Sequence, residues 1–195
     1  MANRLQHPNI LPLYDSGEAD GLLFYVIPLV DGPSRQLLLE SGEGLPVSDA
    51  VRVLRDVADA LTEARANGVV HRDIKPENVL LRGRHALVTD FGVAKALSEA
   101  AGRGRMTTAG VVLGTLAYMS PEQAESPDLD HRVDLYAVGV MGYELPAGRL
   151  PFTGVTVEAV LAQHLTAAPV PIRDLRPPLA AVILKCLAKR LADRW

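Results

Sequence analysis

The sequence is short of several things, and each shortage excludes something. It has one cysteine, Cys186, in 195 residues. No internal disulfide can form, which fits a reducing compartment. It has no long apolar run: the longest, "LYAVGVMGY" from Leu135 to Tyr143, has nine residues. A helix that crosses a bilayer needs about 20. It has no basic excess, since 20 Lys and Arg stand against 23 Asp and Glu for a net charge of −3. A broad basic face for nucleic acid is therefore not expected. The opening stretch, "MANRLQHPNILPLYDSG", lacks the basic-then-apolar build of a secretion signal. What is present is ordinary globular composition, 48% hydrophobic and 22% charged. That is enough for one sizeable core or a modest two-part domain.

Two strands are predicted near the start, "LPLYDSG" and "LLFYVIPLV", with Glu18 to Gly21 as the turn. "DGP", Asp31 to Pro33, breaks the second run and is the expected hinge. The spacing predicts a helix over Leu45–Asn67, with Val47, Val51, Leu54, Val57, Ala58, Leu61 and Ala64 as its apolar stripe. Pro46 stands near its start and Gly68 after its end. Two short strands, "NVLL" and "ALVTD", follow a polar loop. Phe91 to Gly114 carries little periodicity, and so long a stretch without elements is more often functional than structural. The last third reads as helical. Val133–Leu145 is apolar nearly all round, as in a helix buried on every face. Pro146 should end or kink it early. Val155–Leu165 and Leu179–Ala188 are amphipathic. A little β followed by mostly α gives an α+β class rather than alternating α/β.

The polar loop carries the chemistry. "GVVHRDIKPENVLL", Gly68 to Leu81, holds His71, Arg72, Asp73, Lys75, Glu77 and Asn78 between apolar pairs. A turn needs no such density of ionisable groups. Phosphoryl transfer does, because it is mostly positioning and charge neutralisation around a dispersed anion. It needs a carboxylate facing the incoming hydroxyl, oxygen ligands for Mg²⁺, and a cation near the transferring group. The loop has one of each. Taken singly, Asp73 reads as a turn or cap residue, Lys75 as a solvated charge and Asn78 as a loop hydrogen-bonder.

With its neighbours the loop forms a recognisable set. "HRDIKPEN" (His71–Asn78), "DFG" (Asp90–Gly92) and "GTLAYMSPEQ" (Gly114–Gln123) occur in that order. The chain resembles a bacterial-type, eukaryotic-like Ser/Thr protein kinase from Leu5 to Arg194. The resemblance implies a kinase-like fold: a mostly helical C-lobe over residues 31–195, with the hinge and two strands of an N-lobe in residues 1–30. It implies ATP and Mg²⁺ as cofactors. It implies Asp73 as catalytic base, Lys75 facing the γ-phosphate, and Asn78 and Asp90 as metal ligands. Ile27 would be the gatekeeper beside the nucleotide. Val30 would donate to adenine, since Pro28 has no N–H. Thr115 would contact Asp73 and Lys75. Thr107 and Thr108 would be phosphorylation sites in the activation loop, ordered against Arg72. His71, Phe91 and Gly92 would shape the site, Glu122 and Arg194 would form a buried ion pair, and Asp134 would anchor the catalytic loop's backbone.

The implied partners are protein substrates bearing Ser or Thr, together with a homodimer of the kinase. Nucleic acid is not among them, and the chain carries no membrane segment. The implied location is cytoplasmic, with any anchor of the parent protein outside this chain. The family's Gly-rich loop, strand Lys and helix Glu have no counterpart here, which predicts weak or absent phosphotransfer from the isolated chain. It also predicts uncovered apolar faces at "LPLY" and "LLFYVI". Two rival readings remain: a non-catalytic interaction module of the same fold, and a small-molecule phosphotransferase. "GTLAYMSPEQ", which looks like a peptide platform, disfavours the second.

Overall fold

The computed structural model describes residues 5–19, 22–30, 44–91, 116–126, 129–172 and 175–195. Among these, two antiparallel hairpins precede and flank a helical body. Strands β1 (Asp15–Ala19) and β2 (Leu22–Val26) pair with Asp15 opposite Val26. Helix α1 (Val47–Ala66) follows. A 3₁₀ turn (Pro76–Asn78) then leads into β3 (Val79–Arg82), which pairs with β4 (His85–Val88). Then come α2 (Pro121–Glu125), α3 (Arg132–Ala147), α4 (Val157–Thr166), α5 (Pro177–Cys186) and a second 3₁₀ turn (Leu191–Asp193). The architecture is α+β.

Helix α1 starts where Pro46, at φ −50°, is pre-set for a helix and has no N–H to satisfy. It ends at Asn67, and Gly68 takes the left-handed φ of 70° that its C-terminus requires. Its buried stripe is Ala50, Val53, Val57, Ala60, Leu61 and Ala64. Val51 and Ala58, expected in that stripe, face solvent instead. Asp56 is buried on the same face. Its Oδ2 accepts the Ala86 amide of β4 at 2.9 Å, which fixes the helix against the β3–β4 hairpin.

Helix α3 is buried on all sides, with Tyr136, Val140, Met141 and Leu145 fully enclosed. Gly139 lets α5 approach closely, since a Cβ there would lie 2.7 Å from that of Cys186. The helix does not end before Pro146. It runs to Ala147, and Gly148 at φ 65° closes it by donating to Glu144 O at 2.8 Å. Pro146 forgoes the bond to the Gly142 carbonyl without ending the helix.

The first strand is displaced from its expected place. Leu11 does not belong to it; its amide donates to Val88 O at 2.9 Å, and Ile10 bridges Val88 in parallel. "LPLY" is thus partly spent on the edge of β4, and pairing with β2 begins only near Tyr14. Leu11 is buried, contrary to expectation, whereas Leu22, Phe24, Tyr25, Val26 and Ile27 are exposed. The expected hinge at Asp31–Pro33 lies outside the described residues.

Candidate active site

The β3–β4 hairpin places two of the candidate residues side by side. Val79 faces Val88, and the Thr89 amide donates to Asn78 O at 3.0 Å. Asn78 therefore stands at one end of the hairpin, and Asp90 one residue past its cross-strand neighbour. Asp90 adopts φ 62°, a left-handed conformation that aspartate tolerates better than most residues. Thr89 Oγ1 donates to its Oδ2 at 3.1 Å.

Asp73 lies five residues before Asn78. Its Oδ2 meets Lys75 Nζ at 2.9 Å and accepts from Asn78 Nδ2 at 3.0 Å. The same Asn78 nitrogen donates to Asp73 O at 2.7 Å. Both partners are acceptors, so the amide must present its nitrogen to Asp73. Its oxygen, the atom a cation would take, is not consumed by these bonds. The Asp73 side chain keeps 30% of its exposure, enough for a substrate hydroxyl to reach it.

The loop's backbone is held from beneath. Asp134, buried in α3, accepts the amides of His71 at 2.8 Å and of Arg72 at 2.7 Å. Burial raises the Asp134 carboxyl above the usual carboxylate range, while His71 and the two amide donors oppose that rise. His71 is 1% exposed and both its nitrogens are occupied. Nε2 faces Thr89 O at 2.7 Å and so carries the proton, while Nδ1 accepts from the Asp73 amide at 3.3 Å. That arrangement fits a packed residue and not a base. Phe91 sets its ring edge-on to His71, with centroids 4.6 Å apart.

A second buried constellation lies beside the first turns of α3. Arg194 grips Glu122 with two bonds, Nη1 to Oε1 at 2.6 Å and Nη2 to Oε2 at 2.9 Å. Its Nε donates to Ala188 O at 2.7 Å, and its guanidinium lies 4.8 Å from the Tyr136 ring centroid. A planar fork with this many donors suits a buried carboxylate. Close by, His164 Nδ1 is 2.9 Å from Tyr136 Oη, and Lys189 Nζ donates to that same oxygen at 3.2 Å. Burial and the Lys189 charge lower His164 to about 4.

The protein kinase domain model matches residues 1–195. The chain belongs to the protein kinase family. Among curated relatives, it is 40% identical over 99% of its length to the serine/threonine-protein kinase pkn3 of Myxococcus xanthus. It is 42% identical over 98% of its length to the serine/threonine-protein kinase PkaA of Streptomyces coelicolor, and 34% identical over 100% to the serine/threonine-protein kinase PknB of Mycobacterium leprae. These matches cover 38%, 35% and 32% of those relatives, so the chain spans about a third of their length.

Against this kinase framework, Asp73, Lys75 and Asn78 come together, with Asp90 beside Asn78's strand partner. Ile27 is half exposed and Val30 partly buried just beyond β2. Gly92, Thr107, Thr108 and Thr115 lie outside the described residues. Three residues escaped sequence reasoning. Asp56 and His164 are buried polar residues on helices whose apolar spacing gives no sign of them. Gln123 donates from Nε2 to Arg72 O at 3.0 Å. Its only sequence signal is the Ser-x-x-Gln spacing of a capping box. Among the described residues no helix is long and apolar enough to cross a membrane.

Proposed function

We propose that this kinase chain carries the catalytic centre of a Ser/Thr protein kinase, transferring the γ-phosphoryl group of ATP to protein hydroxyls. The observation that carries the reading is the Asp73 carboxylate, fixed by Lys75 and Asn78 on a backbone pinned to Asp134. A carboxylate so oriented can align a Ser or Thr hydroxyl and take its proton as the new P–O bond forms. Lys75, held at that carboxylate, is within reach of the transferring group and offsets its charge. Asp90 supplies a carboxylate and Asn78 an amide oxygen, the hard donors Mg²⁺ favours. Bound there, Mg²⁺ would neutralise phosphate charge.

Residues 1–30 act as N-lobe and hinge in this reading, and residues 31–195 as C-lobe. Ile27 borders the adenine site and Val30 donates its amide there. Thr115 contacts Asp73 and Lys75, and Thr107 and Thr108 accept phosphate that pairs with Arg72. Partners are protein substrates and a second kinase copy. The test is transfer from labelled ATP to a Ser/Thr/Tyr peptide library by the full-length protein. Mg²⁺-dependent phosphoserine and phosphothreonine are expected. Phosphotyrosine alone, or ATP binding without transfer, contradicts the reading.

A further inference from the structure

The peptide unit between Arg72 and Asp73 is gripped at both of its polar atoms. Arg72 has φ 70°, a left-handed conformation that costs a residue with a Cβ about 1–2 kcal/mol. Its own amide is spent on Asp134. Its carbonyl accepts from Gln123 Nε2 at 3.0 Å. The Asp73 amide, in the same planar unit, donates to His71 Nδ1 at 3.3 Å. The orientation of Asp73 therefore depends on what holds that plane.

Gln123 is itself fixed at its other end. Its Oε1 accepts from the Ser120 amide at 2.9 Å and from the Ser120 hydroxyl at 3.1 Å. An amide N–H can only donate and a carbonyl can only accept, so the carboxamide can bridge in one direction alone. A small cavity lined by Arg72, Asp73, Ile74, Tyr118, Met119 and Gln123 lies at this junction. The bridge borders that gap.

The geometry points to Gln123 as a positioning residue for Asp73, fixing the Arg72 carbonyl and through it the aim of the Asp73 carboxylate. This rests on the reading that Asp73 serves the substrate hydroxyl. Gln123→Glu isolates the effect. A glutamate keeps the acceptor for Ser120, and hence the start of α2, but when ionised it cannot donate to Arg72 O.

The experiment compares wild type, Gln123→Glu and Asp73→Asn in the full-length protein. Gln123→Glu is expected to leave the KM for ATP unchanged and to lower the melting temperature, the usual penalty for one lost buried hydrogen bond. Its kcat is expected to fall about tenfold, a factor equivalent to 1.4 kcal/mol. Its kcat relative to wild type should begin to recover as pH falls toward the ordinary glutamate range, about 4.3, where a protonated glutamate can donate again. A wild-type kcat in Gln123→Glu, or a loss that tracks lowered stability and ignores pH, overturns the inference. If Asp73→Asn keeps full activity, the reading of Asp73 itself fails and this inference with it. If Asp73→Asn is inactive while Gln123→Glu is unaffected, only the inference fails.

Discussion

The two hairpins of this molecule have the same architecture and opposite surroundings. A two-stranded hairpin is marginal by itself in water. In β3–β4 the remedy is burial: Val79, Ala86 and Val88 are fully enclosed, Asp56 of α1 takes the Ala86 amide, and Leu11 pairs along the edge. In β1–β2 five apolar residues of one strand and its extension, Leu22, Phe24, Tyr25, Val26 and Ile27, stay exposed. The candidate chemistry is attached to the covered hairpin, at Asn78 and Asp90. Positioning to within an ångström needs a strand that cannot move independently of the core. The exposed hairpin leads instead to the Ile27–Val30 segment.

Removing what holds the covered side should cost most. Asp134→Ala leaves the His71 and Arg72 amides buried without an acceptor. At about 1–3 kcal/mol for each, a loss of about 2–6 kcal/mol in urea unfolding is expected, together with loss of phosphotransfer.

Acid should attack the packing between α3 and α4 and spare the exposed hairpin. His164 has a folded pKa of about 4, against about 6.5 when unfolded. The unfolded chain therefore binds the proton more readily. The stability that neutral His164 contributes is present above pH 6.5 and lost as pH falls toward 4. The ring is faced by Tyr136, by the edge-on ring of Phe152 and by the Ala117 backbone, with Lys189 bonded to the same Tyr136 oxygen. Between pH 6.5 and 5 a loss of about 1.5 kcal/mol is expected. His164→Gln should flatten that slope in unfolding curves taken across the range.

Asp56→Ala strips the acceptor from the Ala86 amide and should cost about 1–3 kcal/mol. Hydrogen exchange at Ala86 should speed up accordingly. The smallest effect belongs to the open hairpin. Leu29, 91% exposed, should change stability by no more than about 0.5 kcal/mol as Leu29→Ser. If Leu29→Ser costs as much as Asp56→Ala, the contrast between the hairpins is wrong.

Much of this was legible in the sequence, for physical reasons that can be named. Strands at "NVLL" and "ALVTD" and the helix from Val133 show in composition alone, because burial on every side demands uninterrupted apolar residues. The motif residues Asp73, Lys75 and Asn78 are close in sequence, and a loop with a 3₁₀ turn brings them together. What stayed hidden depends on partners far along the chain. Asp56 carries no local sign of the Ala86 amide that it accepts across 30 residues. Val51 and Ala58 fit a helical period as well as Val53 and Ala60 do, and only the docked hairpin selects between them. Leu11 looked like strand β1 because no local signal reveals pairing with Val88. Gln123 meets Arg72 from 51 residues away, with nothing local but its capping spacing.

The central claim is that the Asp73 carboxylate, in the setting built by Lys75, Asn78 and Asp134, performs phosphoryl transfer. Its most direct test is single-turnover phosphotransfer by the full-length protein carrying Asp73→Asn, with ATP binding measured in parallel. A positioned general base contributes about 10²–10⁴-fold. The account predicts a rate loss in that range with ATP affinity preserved. An undiminished rate would contradict it.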